Sequence, residues 1–374
     1  MKLRAHQGSS LAGKLLQFQH NIMQALRIYA GPKALTHVRE HGLMPGHVGV
    51  IPGAAGGPKG LILGPLDRFL FGDWLPQSHQ PIDLVGASIG AWRMATACLH
   101  QPVQALQRLE HDYIHQHYEL PEGQKRPSAA QVSDEFGRNL TAFYGGRIEE
   151  VLQHPRYRLH VLTSHGQGLL QREHPWLTPL GYAGAFLRNV IHRPAMGASL
   201  DRVVFSTHAK LPFDARDYRT RQVDLTLENF MPAVQASCSI PFVLQAVHDI
   251  PGAPKGAYWD GGITDYHLHL NYKGLVLYPH FQQSVVPGWL DKALKWRHKS
   301  TAFLDNTIVL APNPEWVQTL PNGKLPDRSD FMTYANDLPG RIQAWTGAAQ
   351  ASQQLADEFA QWLQDPQVDR VRPL

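Results

Sequence analysis

The stretch Ile82-Asp83-Leu84-Val85-Gly86-Ala87-Ser88-Ile89-Gly90-Ala91-Trp92-Arg93 joins a short apolar run to a segment, residues 91–99, that favours a helix. The pattern G-x-S-x-G between a strand and a helix is typical of a nucleophile elbow, a sharp turn that exposes a serine hydroxyl at the edge of a sheet. Gly86 and Gly90 are needed there because a Cβ would collide with neighbouring backbone. Ser88 is therefore a candidate nucleophile at a helix N-terminus, where negative charge is stabilised. The alternative is a tight strand–helix turn in which a buried serine caps the helix.

A glycine-rich segment, residues 52–60, follows a predicted strand at 47–51 and precedes a predicted helix at 61–71. It contains neither G-x-G-x-x-G nor G-x-x-x-x-G-K-[ST], the glycine patterns of nucleotide phosphate sites. Backbone N–H groups free of side chains can instead converge on one oxygen, with a cation such as Lys59 beside them. The segment is a candidate oxyanion loop, and the alternative is an ordinary glycine-rich connection.

An aspartate ends an aromatic strand in the stretch Ala257-Tyr258-Trp259-Asp260-Gly261-Gly262-Ile263. The two glycines would let another backbone or a substrate approach the carboxylate closely. The alternative is a type I′ turn, for which Asp-Gly is a favoured pair.

Periodicity predicts the other elements. Helices are expected at 9–30, 227–237 (capped by Thr226) and 341–363, helical patterns dominate 102–153, and strands are expected at 157–164, 201–207, 273–278 and 306–311. The stretch between the strands at 157–164 and 201–207 is punctuated by Gly and Pro and is predicted to be irregular, at the mouth of a pocket.

The composition of the 374 residues, 43% hydrophobic and 18% charged, is that of an ordinary soluble enzyme. A net charge of +4, scattered along the chain, does not indicate a nucleic-acid partner. Cys98 and Cys238 lie in apolar segments, which favours a reducing compartment. No apolar run reaches the roughly 18 residues of a membrane span, and no signal peptide is indicated, so a cytoplasmic location is expected.

Contact with a membrane surface is a further interpretation, resting on Trp289, Lys292, Lys295 and Trp296. Tryptophan and lysine on one short helix suit a lipid interface, where the ring lies at headgroup depth and the cation meets anionic lipid. The alternative is core packing with a solvated basic face.

No metal site or cofactor is predicted. His111 and His115 are spaced i,i+4, as in some metal sites, and His117 lies nearby. No HExxH pattern or completing carboxylate accompanies them, so a solvated histidine face is favoured.

Taken in order, Gly56-Gly57-Pro58-Lys59-Gly60, Gly86-Ala87-Ser88-Ile89-Gly90 and Asp260-Gly261-Gly262 resemble the three motifs of the patatin-like phospholipase family. Ala236-Ser237-Cys238-Ser239-Ile240-Pro241 is similar to a further segment of that family, with Ser239 where alanine is usual. The resemblance implies an α/β fold of three α/β/α layers with a mostly parallel central sheet and extra helices at both termini. It also implies a single domain, 1–374, with a catalytic core at about 41–312, an N-terminal helical segment at 1–40 and a C-terminal helical extension at 313–374.

The same resemblance implies a serine lipid acyl hydrolase that cleaves carboxylic esters through a Ser88–Asp260 dyad and an acyl-enzyme. The implied oxyanion hole comprises Gly56, Gly57, Lys59, Gly60 and Ile89. The loop departs from the family pattern: Ala54 and Ala55 precede Gly56, Pro58 lacks an N–H, and Lys59 replaces the commoner arginine. An alanine at those positions requires a negative φ.

Three other interpretations remain open. In a Ser–His–Asp hydrolase acting as an esterase or thioesterase, one of His267, His269, His280 or His298 would complete a triad. A non-catalytic lipid-binding protein would keep the pocket without the chemistry. An acyltransferase would use the same dyad with an acceptor other than water.

Overall fold

The computed structural model describes residues 23–119, 124 and 126–374. Its strands are β1 Leu26–Ala30, β2 Val48–Gly53, β3 Ile82–Ala87, β4 Tyr157–Gly166, β5 Leu200–Ser206, β6 Thr220–Asp224, β7 Val247–His248, β8 Ala257–Asp260, β9 Leu275–Pro279, β10 Thr307–Pro312 and β11 Arg372–Pro373. They form one sheet of order β11-β1-β10-β9-β2-β3-β4-β5-β6, with β8 paired to β4 and β7 to β8.

The centre of the sheet, β10-β9-β2-β3-β4, is parallel throughout. These strands are apolar along almost their whole length and almost fully buried, as expected when both faces of a parallel sheet are covered. The carboxyl ends of parallel strands meet at one edge. Gly53 at the end of β2 and Ala87 at the end of β3 are therefore neighbours at the edge from which the elbow emerges.

The pairing of β4 brings two remote segments together. Ala87, the last residue of β3, lies opposite Leu162, and Asp260, the last residue of antiparallel β8, lies opposite Thr163. The strands β3 and β8 thus end opposite two adjacent residues of β4. This register, and not the sequence separation, places residue 88 beside residue 260.

Helices cover the sheet and give a three-layer α/β/α arrangement, which confirms the expected fold class. They are α1 Pro32–His41, α2 Gly64–Phe69, α3 Ile89–Ala97, α4 Pro102–His115, α5 Ala129–Tyr144, α6 Ile148–Leu152, α7 Leu177–Ile191, α8 Phe230–Cys238, α9 Gly262–Asp265, α10 Pro314–Val317, α11 Asp330–Thr333, α12 Leu338–Ala351 and α13 Gln353–Gln364. Within the described part of the chain, none of them is long and apolar enough to cross a bilayer.

The predicted N-terminal helix is wrong where it can be compared. Residues 9–22 lie outside the described residues, but Leu26–Ala30 is strand β1, paired antiparallel with β10. Its helical spacing was overridden by tertiary pairing: Leu26 and Ile28 are buried, whereas Arg27 reaches Glu315 at 3.6 Å. The segments assigned to both termini therefore contribute strands as well as helices, since β11 pairs with β1.

Three further predictions of secondary structure also need correction. Residues 61–71 form a 3₁₀ turn, the short helix α2 and a π turn in succession. The expected helix 341–363 is two helices, α12 and α13, which meet at Ser352. The stretch expected to be irregular contains α7, a helix of 15 residues.

Candidate active site

Ser88 lies in the turn between β3 and α3 with φ 56° and ψ −132°. A positive φ is rare for a residue with a Cβ and is retained only where the surrounding structure holds it. Here the Ser88 N–H donates to Ser237 Oγ at 3.0 Å, and that hydroxyl donates in turn to the carbonyl of Leu162 on β4 at 2.7 Å. The strained turn is thus fastened to the sheet.

Close backbone contact explains why residue 90, two positions after Ser88, is a glycine. A Cβ placed on Gly90 would lie 1.7 Å from the carbonyl oxygen of Gly53, at the end of β2. The start of α3 therefore packs directly against the end of a neighbouring strand, and this approach fixes how far Ser88 projects from the sheet.

Gly90→Ala should therefore lower the free energy of unfolding by about 3 kcal/mol or more, because backbone on both sides must move. Urea denaturation followed by circular dichroism measures the change. Gly49→Ala is the matched control: it lies on β2, its nearest neighbour would be 3.7 Å from the new Cβ, and its φ is not positive. Equal stability of the two variants would contradict this packing.

Asp260 lies directly against the serine. Its Oδ2 accepts a hydrogen bond from Ser88 Oγ at 2.7 Å, and its Oδ1 accepts one from the N–H of Gly262 at 2.7 Å. Both side chains are buried. Burial raises the pKa of the Asp260 carboxyl, and the hydrogen bond from Ser88 and the charge of Arg328 oppose the rise only in part. A buried carboxylate with raised basicity in contact with a hydroxyl is a chemically competent base.

The glycines after Asp260 do not form a hairpin turn. A type I′ turn needs positive φ at both central residues, but Gly261 has φ −61° and leads into α9. A Cβ on Gly261 would lie 2.1 Å from the carbonyl oxygen of Leu162, so this glycine permits close contact with β4.

The segment 236–241 connects the elbow to the aspartate. Besides the Ser237 hydroxyl, the carbonyl of Ser237 accepts from the Gly261 N–H at 3.1 Å, and that of Ser239 accepts from the Asp260 N–H at 2.9 Å. This segment therefore helps to set the separation of the Ser88 and Asp260 side chains.

A cavity of about 290 Å³ opens over the pair. It is lined by Ala55, Gly56, Lys59, Ser88, Ile240, Pro241, Asp260, Gly262, Ile263, Tyr266, Trp289, Lys292, Asp327, Arg328 and Ser329.

The structure divides the predicted oxyanion residues. Gly56 and Lys59 line the cavity over Ser88, whereas Gly57, Gly60 and Ile89 line a narrower neighbouring one beside Arg93. Among the described residues, the N–H of Gly56 has no protein acceptor, so it is free to bind a substrate oxygen. Ala54 and Ala55 are not among the residues with positive φ, so their methyl groups are accommodated without strain.

No late histidine reaches the pair. Within the described residues, neither Ser88 nor Asp260 forms a hydrogen bond with His267, His269, His280 or His298. His267 and His280 pack on one another with ring centroids 4.4 Å apart, and burial lowers the pKa of both. His269 and His298 bond to Thr301 and to the carbonyl of Asp291. This geometry supports a dyad over a triad.

Sequence reasoning missed Arg328 and Tyr266. It placed Lys292 and Trp289 at a membrane-facing surface and did not place them at this cavity. Both of the latter residues line the cavity, while Lys295 and Trp296 are exposed outside it. Arg328 belongs to no recognisable motif, and only tertiary structure brings the loop before α11 over the oxyanion loop. The stacked pair His111 and His115 lies on α4, and the described residues contain no cluster of His, Cys, Asp and Glu suited to a metal ion.

Comparison with known proteins identifies no relative by sequence: no family model and no curated protein matches the chain. Among solved structures, the crystal structure of VipD from Legionella pneumophila aligns with 89% of this chain and 70% of its own, at 13% identity and a TM-score of 0.29. A TM-score this low does not bear on the fold or the chemistry of this chain.

Proposed function

We propose that the protein is a serine hydrolase that cleaves carboxylic esters of lipids through a Ser88–Asp260 dyad. The observation that carries the proposal is the 2.7 Å hydrogen bond from Ser88 Oγ to Asp260 Oδ2, at a strained strand–helix turn that opens on a cavity. A capping serine would bond to its own helix, but Ser88 forms no such side-chain cap.

In the proposed mechanism, Ser88 Oγ attacks the ester carbonyl while its proton passes to Asp260 Oδ2. The C–O bond to the alcohol then breaks, and Asp260 returns the proton to the departing oxygen. Water attacks the acyl-enzyme, again losing a proton to Asp260, and Ser88 recovers its hydrogen as the acid leaves. We assign the free N–H of Gly56 to the oxyanion, with the charge of Lys59 nearby. The side chain of Ile89 lines the neighbouring cavity, but its backbone N–H directly follows Ser88, and we assign that N–H as the second donor.

Hydrolysis in ¹⁸O-labelled water tests this proposal with the native protein. A panel of p-nitrophenyl esters and acylglycerols should yield acids that carry one ¹⁸O atom from the solvent and alcohols that carry none. Absence of hydrolysis across the panel would contradict the proposal. Transfer of the acyl group to an added alcohol in preference to water would identify an acyltransferase using the same dyad.

The lipid part of the proposal is supported by an apolar surface beside the cavity, formed by the outer face of α7 with Phe242 and Trp289. Its exposed members are Trp176, Leu177, Leu180, Leu187, Val190, Ile191, Phe242, Val243 and Trp289. Arg188 is the only charged residue within α7. An exposed apolar patch of this kind marks an interaction site.

The α7 surface is continuous with the cavity mouth and with the basic segment 289–299. Asn189 on α7 donates to Asp291 at 2.8 Å, and Phe242 follows Ile240 and Pro241, which line the cavity. Lys292, Lys295 and Lys299 are exposed on that segment. Apolar side chains bordered by cations match an anionic bilayer, so we propose that this surface docks there.

Replacing Leu187 and Ile191 together with serine should reduce the fraction of protein bound to vesicles of phosphatidylserine and phosphatidylcholine by about tenfold. Sedimentation with the vesicles measures binding, and hydrolysis of a short soluble ester shows that the fold is intact. Met44→Ser removes another exposed apolar side chain, just before the amino end of β2 and so away from the cavity, and should change neither. Unaltered vesicle binding by the double variant would contradict the proposal that the α7 surface docks on a bilayer.

A further inference from the structure

Three cations line the cavity over Ser88: Lys59, Lys292 and Arg328. Among the described residues, none of them forms an ion pair within 4.0 Å. The lysines lie against aromatic rings instead, Lys292 Nζ at 4.0 Å from the Tyr266 centroid and Lys59 Nζ at 5.4 Å from that of Phe281. The cavity thus gathers positive charge that no described carboxylate meets within ion-pairing distance, and Asp260 offsets the charges of Lys292 and Arg328 only from farther away.

The carboxylates of the cavity are engaged elsewhere. Asp260 accepts from Ser88 and Gly262. Asp327 Oδ1 accepts from Ser329 and lies 2.8 Å from Lys324, so it compensates Lys59 only from a distance. Partial burial, followed by the like charges of Arg328 and Lys59, lowers the pKa of Lys292 to about 8. Mutual repulsion of this kind is relieved when an anion enters.

Arg328 lies in a loop that is held in place by ion pairs and a hydrogen bond. Lys324 contacts both Asp327 and Asp330, and Asp330 also accepts from the indole N–H of Trp345 at 2.9 Å. The guanidinium lies over the oxyanion loop: its Nε is 3.3 Å from where a Cβ on Gly57 would stand. A charged fork held there can bind an anion close to the scissile ester.

We propose that Lys292 and Arg328, assisted by Lys59, form a subsite for a phosphate monoester group, and that the substrate is an acyl ester carrying such a group. A dianionic phosphate offers several acceptor oxygens to a cluster of cations. A zwitterionic headgroup would bring another cation into the cavity, and the Tyr266 face that could receive it already holds Lys292. The substrate part of this inference rests on the proposed ester hydrolysis.

The test compares kcat/KM for 1-acylglycerol 3-phosphate, 1-acylglycero-3-phosphocholine and 1-acylglycerol of one chain length. The wild type should prefer the phosphate monoester by about tenfold or more, as one charge-assisted hydrogen bond provides. Arg328→Gln and Lys292→Gln should each remove about that factor, mainly through KM. The matched controls Arg39→Gln and Lys210→Gln remove exposed cations that form no ion pair with any other described residue, and they should keep the preference.

Calorimetric titration of the wild type with inorganic phosphate provides a readout that needs no catalysis. Binding that Arg328→Gln weakens about tenfold supports the subsite, even if every ester proves inert and the proposed hydrolysis fails. Phosphate binding without a preference for the phosphate ester would identify free phosphate as the occupant and overturn the substrate assignment. Equal rates on the three lipids together with no phosphate binding would overturn the subsite while leaving ester hydrolysis intact.

Discussion

Ser88→Ala is expected to lower kcat for ester hydrolysis by about 10⁴-fold or more, the loss seen when a serine nucleophile is removed from a catalytic unit. The reason is covalent: without Oγ there is no acyl-enzyme, and the carboxylate of Asp260 keeps only its bond from Gly262. The Ser88 N–H still donates to Ser237, so the turn should hold its shape. Steady-state hydrolysis of p-nitrophenyl butyrate measures the effect.

Ser239→Ala is the matched control for that result. The Ser239 side chain is buried nearby and donates only to the carbonyl of Gln235, at 3.0 Å. Its replacement should leave turnover within a small factor of the wild type. Hydrolysis that survives in Ser88→Ala would place the nucleophile elsewhere and contradict the dyad.

Asp260→Asn should reduce kcat by about 10⁴-fold, the loss seen when the carboxylate of a catalytic unit is neutralised. Asparagine preserves volume but provides a carbonyl acceptor for only one of the two present donors, Ser88 Oγ–H and Gly262 N–H. It also cannot accept the serine proton. His267→Ala separates this dyad from a triad, because a Ser–His–Asp enzyme would lose comparable activity with its histidine.

The assignment of Asp260 as the general base determines the direction in which kcat/KM changes with pH. Burial raises the pKa of Asp260 above the ordinary 3.8, so kcat/KM should fall as the pH drops through a midpoint above that value. Protonated Asp260 has no site for the serine proton, and the activity should return on raising the pH. In Asp260→Asn the residual rate should lack this midpoint.

Much of the site could be predicted from the sequence because its geometry depends on local rules. An apolar strand followed by G-x-S-x-G and a helical run predicts the turn at Ser88, and close backbone packing demands Gly90. The role of Asp260 was harder, since Asp-Gly also favours a turn. The register of β3 and β8 on β4 decides it, and register depends on pairing between distant segments.

Strand β1, helix α7 and the position of Arg328 depend on contacts that no local sequence pattern predicts. Strand β1 has helical spacing, yet it pairs with β10 at the far end of the chain. Helix α7 was missed because Pro179, Gly181 and Gly184 interrupt its pattern and its apolar side chains face outward, against the usual rule for a helix on a core. Arg328 reaches the cavity through a loop anchored by Lys324 and Asp330.

Labelling by a fluorophosphonate tests the proposed Ser88–Asp260 dyad most directly, with the modified residue mapped by peptide mass spectrometry. The native protein should carry one adduct, on Ser88, and Asp260→Asn should form it far more slowly because nothing removes the hydroxyl proton. An adduct on any other residue, or ester hydrolysis by a protein whose Ser88 resists the reagent, would contradict the account.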